Sequence, residues 1–137
     1  MTTITICTTC RRDKTNEDPL RDGTRFLNIV DRCVREAAPD GSIRVRGMAC
    51  MSSCKRACAA QIAGDGRFTY VLAELDPTRD DAEALIAFAR THAEKENGLV
   101  IKSERPESIK DNVVARVAPP DFNAFPLVDD WQRIDED

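Results

Sequence analysis

Aromatic side chains are scarce in this chain of 137 residues, at 5%, with one Trp and one Tyr, and histidine occurs once, at His92. A histidine-rich metal site therefore has no material here, His92 has no sequence-evident nucleophile or paired base, and neither a Gly-x-Ser-x-Gly elbow nor a glycine-rich phosphate loop is present. No apolar run approaches the roughly 18 residues a membrane span requires. The first ten residues, mostly Thr and Ile, lack the basic and apolar regions of an export signal. Positive charge is not in excess either, since 20 Lys+Arg stand against 24 Asp+Glu for a formal charge of −4. A phosphate backbone needs a basic stripe, so nucleic acid is excluded as the expected partner. A single compact domain in the cytoplasm is the expectation, and no spacing of its many carboxylates calls for an enzyme.

Cysteine is the residue the chain does have, and it is grouped. Cys7 and Cys10 form a Cys-x2-Cys pair near the start, Cys50, Cys54 and Cys58 form a Cys-x3-Cys-x3-Cys run, Cys33 stands apart, and none follows Cys58. In a reducing compartment such clusters read as metal ligands or redox thiols rather than as a disulfide framework. Cys33 falls on the apolar stripe of a helix and is expected to be a small core residue.

The elements follow from periodicity. Thr3 to Ile6 alternates β-branched residues and predicts a strand, with Cys7 to Cys10 at its C-terminal end. Arg11 to Gly23 reads as a charged connection. Phe26, Leu27, Val30, Cys33, Val34, Ala37 and Ala38 recur at helical spacing, with Thr24 as the expected cap. Ser42 to Arg46 predicts a second strand, and a hairpin of Ala59–Ala63 with Phe68–Leu75 turns at Gly64-Asp65-Gly66. A second helix starts at Asp80 and is expected to stop at Asn97-Gly98, with His92 near its C-terminal end where a cation suits the backbone dipole. The order is β-α-β-β-β-α, an α/β domain over 1–98. Segment 99–137 is too apolar for a free linker and is expected to pack on this domain or on a second subunit. The run 129–137 reads as a solvated acidic end.

Thiolates bind soft and borderline metals, so on ligand chemistry alone the grouped cysteines suit an iron-sulfur cluster and zinc equally. The asymmetry of the two groups departs from the paired Cys-x2-Cys knuckles of a zinc ribbon. Both groups follow strands, which brings them together at one rim of an open sheet. A Cys-x2-Cys dithiol after the first strand also permits thiol-disulfide exchange, although that chemistry uses a helix N-terminus and the connection from Arg11 onward reads as extended.

The sequence Cys7-Thr8-Thr9-Cys10 after the first strand, and Cys50-Met51-Ser52-Ser53-Cys54 after a later one, resemble the thioredoxin-like 2Fe-2S ferredoxins. These are related to the small thioredoxin-fold subunit of respiratory NADH dehydrogenases. The runs Ile6–Arg11 and Arg46–Cys58, with Gly98-Leu99-Val100 and Glu104-Arg105-Pro106-Glu107, also resemble a family of small predicted metal-binding proteins of bacteria. The resemblance implies a thioredoxin-like fold with a mixed sheet and a C-terminal extension. It further implies an electron carrier with one 2Fe-2S cluster on Cys7, Cys10, Cys50 and Cys54, a redox partner protein and a homodimer. Two departures stand: the first pair is closer together than is common in these ferredoxins, and Cys58 is an extra thiol. A ligand set of Cys7, Cys10, Cys54 and Cys58 therefore stays open beside it, as does a structural zinc or metal-handling protein using the same cysteines. Arg11, Arg12, Lys14, Lys55 and Arg56 flank the two groups, and their charge would favour thiolates and raise a reduction potential.

Overall fold

The computed structural model describes residues 1–134. Five strands form one sheet in the order β2-β1-β3-β4-β5: β1 Thr2–Cys7, β2 Ile43–Met48, β3 Ala60–Ala63, β4 Thr69–Leu72 and β5 Val113–Val117. β1 and β2 run parallel, joined by helix α1 (Asp22–Ala37), while the remaining pairs are antiparallel. Helix α2 (Arg79–Glu94) packs against α1 and β1.

Alternation along the strands decides which face is covered. Ile4, Ile62 and Tyr70 lie in register across β1, β3 and β4, and all are fully buried. Tyr70 meets Phe88 of α2 edge-on at 5.1 Å. The opposite face carries Thr3, Thr5 and Cys7 of β1 beside Arg44, Arg46 and Met48 of β2, and the three β2 side chains are exposed. The helices thus cover one face and leave the other as a polar platform.

Helix α1 begins earlier than the expected Thr24 cap. Arg21 is the N-cap, without a side-chain bond to the helix, and the Thr24 hydroxyl donates to the Thr8 carbonyl instead (3.0 Å). Gly23 permits this, since a Cβ there would stand 2.0 Å from the Cys7 carbonyl oxygen. Helix α2 starts at Arg79, because the Thr78 hydroxyl accepts the Asp81 N–H and caps it.

Asn97-Gly98 does not end α2, whose C-cap is Lys95. A Cβ at Gly98, where φ is +72°, would fall 2.6 Å from His92 Nε2, so close approach to the histidine explains the glycine. His92 itself is not the surface cation that its position suggests: it is fully buried. Burial pushes its pKa down, with Arg67 and the N-terminus adding to the effect against the hydrogen bond to Phe68. The ring is neutral. Because the Phe68 carbonyl can only accept (2.7 Å), Nε2 carries the proton and Nδ1 accepts from the Thr2 hydroxyl (3.0 Å).

Beyond Gly98 the chain returns to the sheet. Val100 is pinned by both functions of the Tyr70 hydroxyl, which accepts its N–H at 2.8 Å and donates to its carbonyl at 3.1 Å. β5 then adds to β4, and Phe122 meets Phe68 edge-on at 4.9 Å. Residues 129–134 are exposed, and the remainder of the expected acidic end, 135–137, lies outside the described residues.

Candidate metal centre

The parallel pairing of β1 with β2 puts their C-terminal ends at one rim, in a register that sets Cys7 opposite Met48. Each strand then opens into a cysteine loop. The first loop leaves β1 at Cys7 and is fastened from several sides. The Cys7 N–H reaches the Ala59 carbonyl (3.1 Å), the Thr8 N–H the Met48 carbonyl (2.9 Å), and the Gly23 N–H the Cys10 carbonyl (3.0 Å). Arg21 donates to the Thr9 carbonyl (2.9 Å), and the Thr9 hydroxyl to that of Ala49. Cys7 and Cys10 are both 2% exposed.

The second loop runs from Ala49 to Ala59. It holds a positive-φ residue at Ser52 (φ +57°), a 3-10 turn over Cys54–Arg56, and a return pinned by reciprocal backbone bonds between Cys58 and Leu75 (3.1 Å each). Cys58 is fully buried, whereas Cys50 and Cys54 are exposed and line a surface hollow with Ser52, Ser53, Lys55 and Arg56. The Cys50 sulfur accepts the Ser52 N–H at 3.3 Å.

Electrostatics tie the two loops together. Burial pushes the Cys7 pKa up, but stabilisation from the Cys10 thiol, the Met51 backbone N–H and the Thr9 hydroxyl and N–H outweighs it, so the value lies below the ordinary one. Cys10 goes the other way, to about 12, through burial and then its neighbour Cys7, with Cys54 adding to the rise and the Ala59 N–H opposing it. Cys58 is also pushed up to about 12, by burial first and then by its neighbours Cys10, Asp22 and Cys7, against Arg12. Amides of the second loop thus act on sulfurs of the first, and Cys54 acts on Cys10, which acts in turn on Cys58. A crowd of thiols that resist becoming jointly anionic is the electrostatic state that a bound cationic centre relieves, and N–H groups aimed at sulfur suit an iron-sulfur site. The donor set fits such a group.

The structure brings Cys7 and Cys10 together, with Cys54 and Cys58 in electrostatic reach of Cys10. It leaves the Cys50 sulfur bonded within its own loop. Among the described residues no three Cys, His, Asp or Glu side chains are gathered around one point as for a single ion. All six cysteines are free thiols, and Cys33 is buried on α1 away from both groups, as its helical position implies.

The model of a family described as "Protein of unknown function (DUF1636)" matches residues 4–120. The chain belongs to the DUF1636 family. No curated protein matches it. Among solved structures, this DUF1636 chain is similar to a thioredoxin-like [2Fe-2S] ferredoxin from Aquifex aeolicus, at 11% identity and a TM-score of 0.54. That match covers 90% of this chain and 98% of the other. A structure of the wild-type ferredoxin from the same organism matches at 11% identity and a TM-score of 0.49, covering 84% and 97%. At such identity the likeness is one of fold, and the fold of this DUF1636 protein is thioredoxin-like, as its element order implies.

Sequence reasoning missed the supports of the site. Gly23, Arg21 and Thr9 position the first loop, and the amides of Met51 and Ala59 face its sulfurs. Backbone N–H groups have no sequence signature, but Gly23 carried a signal: a glycine in the first turn of a helix is costly unless something must come close. No helix of the described residues is long and apolar enough to cross a membrane.

Proposed function

We propose that this DUF1636 protein is an electron carrier holding one 2Fe-2S cluster on four cysteine thiolates, and that it is no enzyme in its own right. The observation that carries the reading is the meeting of the two loops at one rim, where amides of the second stabilise sulfurs of the first. The fold shared with a thioredoxin-like [2Fe-2S] ferredoxin supports it.

When bound, the cluster accepts and releases a single electron. The chain's part is to hold Cys7 and Cys10 in a buried, fastened loop, to supply N–H groups that stabilise negative sulfur, and to keep Cys50 and Cys54 at the surface, where a partner reaches. Cys7, Cys10, Cys50 and Cys54 are the ligand set we assign. The burial of Cys58 and the effect of Cys10 on it favour a second set in which Cys58 replaces Cys50. Thiol-disulfide exchange is disfavoured because both sulfurs of the first pair are buried.

The reading places the protein in the reducing cytoplasm with a redox partner protein. It also places it as a homodimer, for which exposed Phe125, Leu127, Val128 and Trp131 offer apolar surface. Size-exclusion chromatography with light scattering checks the dimer. Metal and acid-labile sulfide analysis of anaerobically purified protein decides the cofactor: about two irons and two sulfides per chain, with visible absorption that bleaches on dithionite, are expected. One zinc without sulfide overturns the reading in favour of a structural or metal-handling zinc protein.

A further inference from the structure

The chain is acidic overall, at −4, yet from Ile43 to Ala63 it carries four cations and no carboxylate. The fold concentrates them. Arg44 and Arg46 alternate with Val45 on β2, so both lie on the platform away from the helices, pointing the same way as Met48 at the level of Cys7. β2 is an edge strand, and this line of side chains is open to solvent, with Met48 49% exposed. Lys55 lies in the second cysteine loop that follows β2, beside exposed Cys50 and Cys54.

Several cations near the rim are already satisfied by carboxylates. Arg12 pairs with Asp76, Arg25 with Asp18, and Arg56 with Glu74 at 3.3 Å. Arg44, Arg46 and Lys55 have no carboxylate partner among the described residues; Arg46 spends only its Nε, on the Thr5 hydroxyl at 2.9 Å. Like charges left side by side without counter-charges cost stability, and on a body of opposite net charge they form a local field distinct from that of the whole.

We infer that the cationic edge formed by Arg44, Arg46 and Lys55, with Met48 among them, is the docking surface for an acidic face of a partner protein. This inference rests on the electron-carrier reading and names its partner's chemistry. Complementary charge accelerates and orients the encounter, and an exposed thioether amid the cations supplies the small apolar contact on which two redox proteins can settle. Nucleic acid is the less favoured occupant, because the net charge of the remainder repels a phosphate backbone.

The test measures the sign of charge at the site. Reduced protein is oxidised by ferricyanide, an anion, and separately by hexaamminecobalt(III), a cation, over a range of potassium chloride concentrations. The ferricyanide rate is expected to fall roughly tenfold from low to high salt, and the cobalt rate to rise. Dependence on the net charge alone gives the reverse, which overturns the inference. The double variant Arg44→Glu with Lys55→Glu should invert the ferricyanide slope; an unchanged slope overturns the inference.

A second arm needs no cluster, so it separates failure of the docking surface from failure of the electron-carrier reading. In it, isotope-labelled protein is titrated with a decameric glutamate peptide and followed by amide chemical shifts. Shifts gathered at Arg44, Arg46 and Lys55 and abolished by salt support the surface even if metal analysis removes the cluster. Shifts elsewhere, or tighter binding of a ten-nucleotide oligothymidylate than of the peptide, overturn it.

Discussion

The two ends of β1 are finished in opposite ways. At Thr2 every polar group has found its partner: the hydroxyl meets His92, His92 meets the Phe68 carbonyl, and Arg67 donates to the carbonyls of His92 (2.7 Å) and Lys95. At Cys7 the backbone is equally well fastened. Five thiols stand in the two loops at this rim without a covalent bond among them, two of them exposed. A closed network of hydrogen bonds is what structure requires, whereas free thiols carried on a well-fastened backbone are what a metal centre requires. The first end serves stability, and the second is where the proposed cluster would bind.

Substitutions break or sharpen that division. The largest effect belongs to Cys10→Ser, which is expected to remove the visible absorption completely while the chain stays folded by circular dichroism. Cys7→Ser and Cys54→Ser should do the same. Cys50→Ser should lose colour and Cys58→Ser keep it, and the opposite outcome assigns the fourth ligand to Cys58. Cys33→Ser should keep its colour.

Next comes the closed end. His92→Ala leaves the Thr2 hydroxyl and the Phe68 carbonyl without partners in the core and should cost about 2–3 kcal/mol in urea denaturation, with iron content per folded chain unchanged. Loss of iron there would mean that the two ends are not separate. Gly23→Ala is expected to couple them. Its Cβ collides with backbone, which has to move, so stability should fall by about 1–3 kcal/mol and iron occupancy should fall with it.

The smallest effect is in pH. The folded-state pKa of His92 lies below the unfolded value of about 6.5, so the unfolded chain takes up the proton first. Its contribution to stability is complete above the unfolded pKa and is lost as pH falls from there to the folded pKa, with a slope of at most about 1.4 kcal/mol per pH unit. Denaturation at pH 7, 6 and 5 should show this slope in the native chain. It should be reduced in His92→Gln, whose amide takes no proton.

The strands and helices were legible because burial on one side leaves a period. Thr3 to Ile6 alternates, and Phe26 to Val34 repeats at three and four. The fifth strand was not read: Val113–Val117 joins the edge of the sheet and buries little, so its sequence lacks the alternation that a covered face imposes. His92 was misjudged because its place in the helix suggested a favourable charge, while the groups that neutralise it come from Thr2 and Phe68, far off in sequence.

What the sequence by itself determined is the inventory: two groups of thiols after two strands, an acidic body, and the fold class, all of which depend on local composition and period. Only the tertiary structure decided that the first pair is buried and the second group partly open, that amides of one loop act on the sulfurs of the other, and that unpaired cations line the edge of β2. These depend on contacts between residues some forty positions apart, and the chain brings such positions together only when parallel pairing of β1 and β2 sets their register.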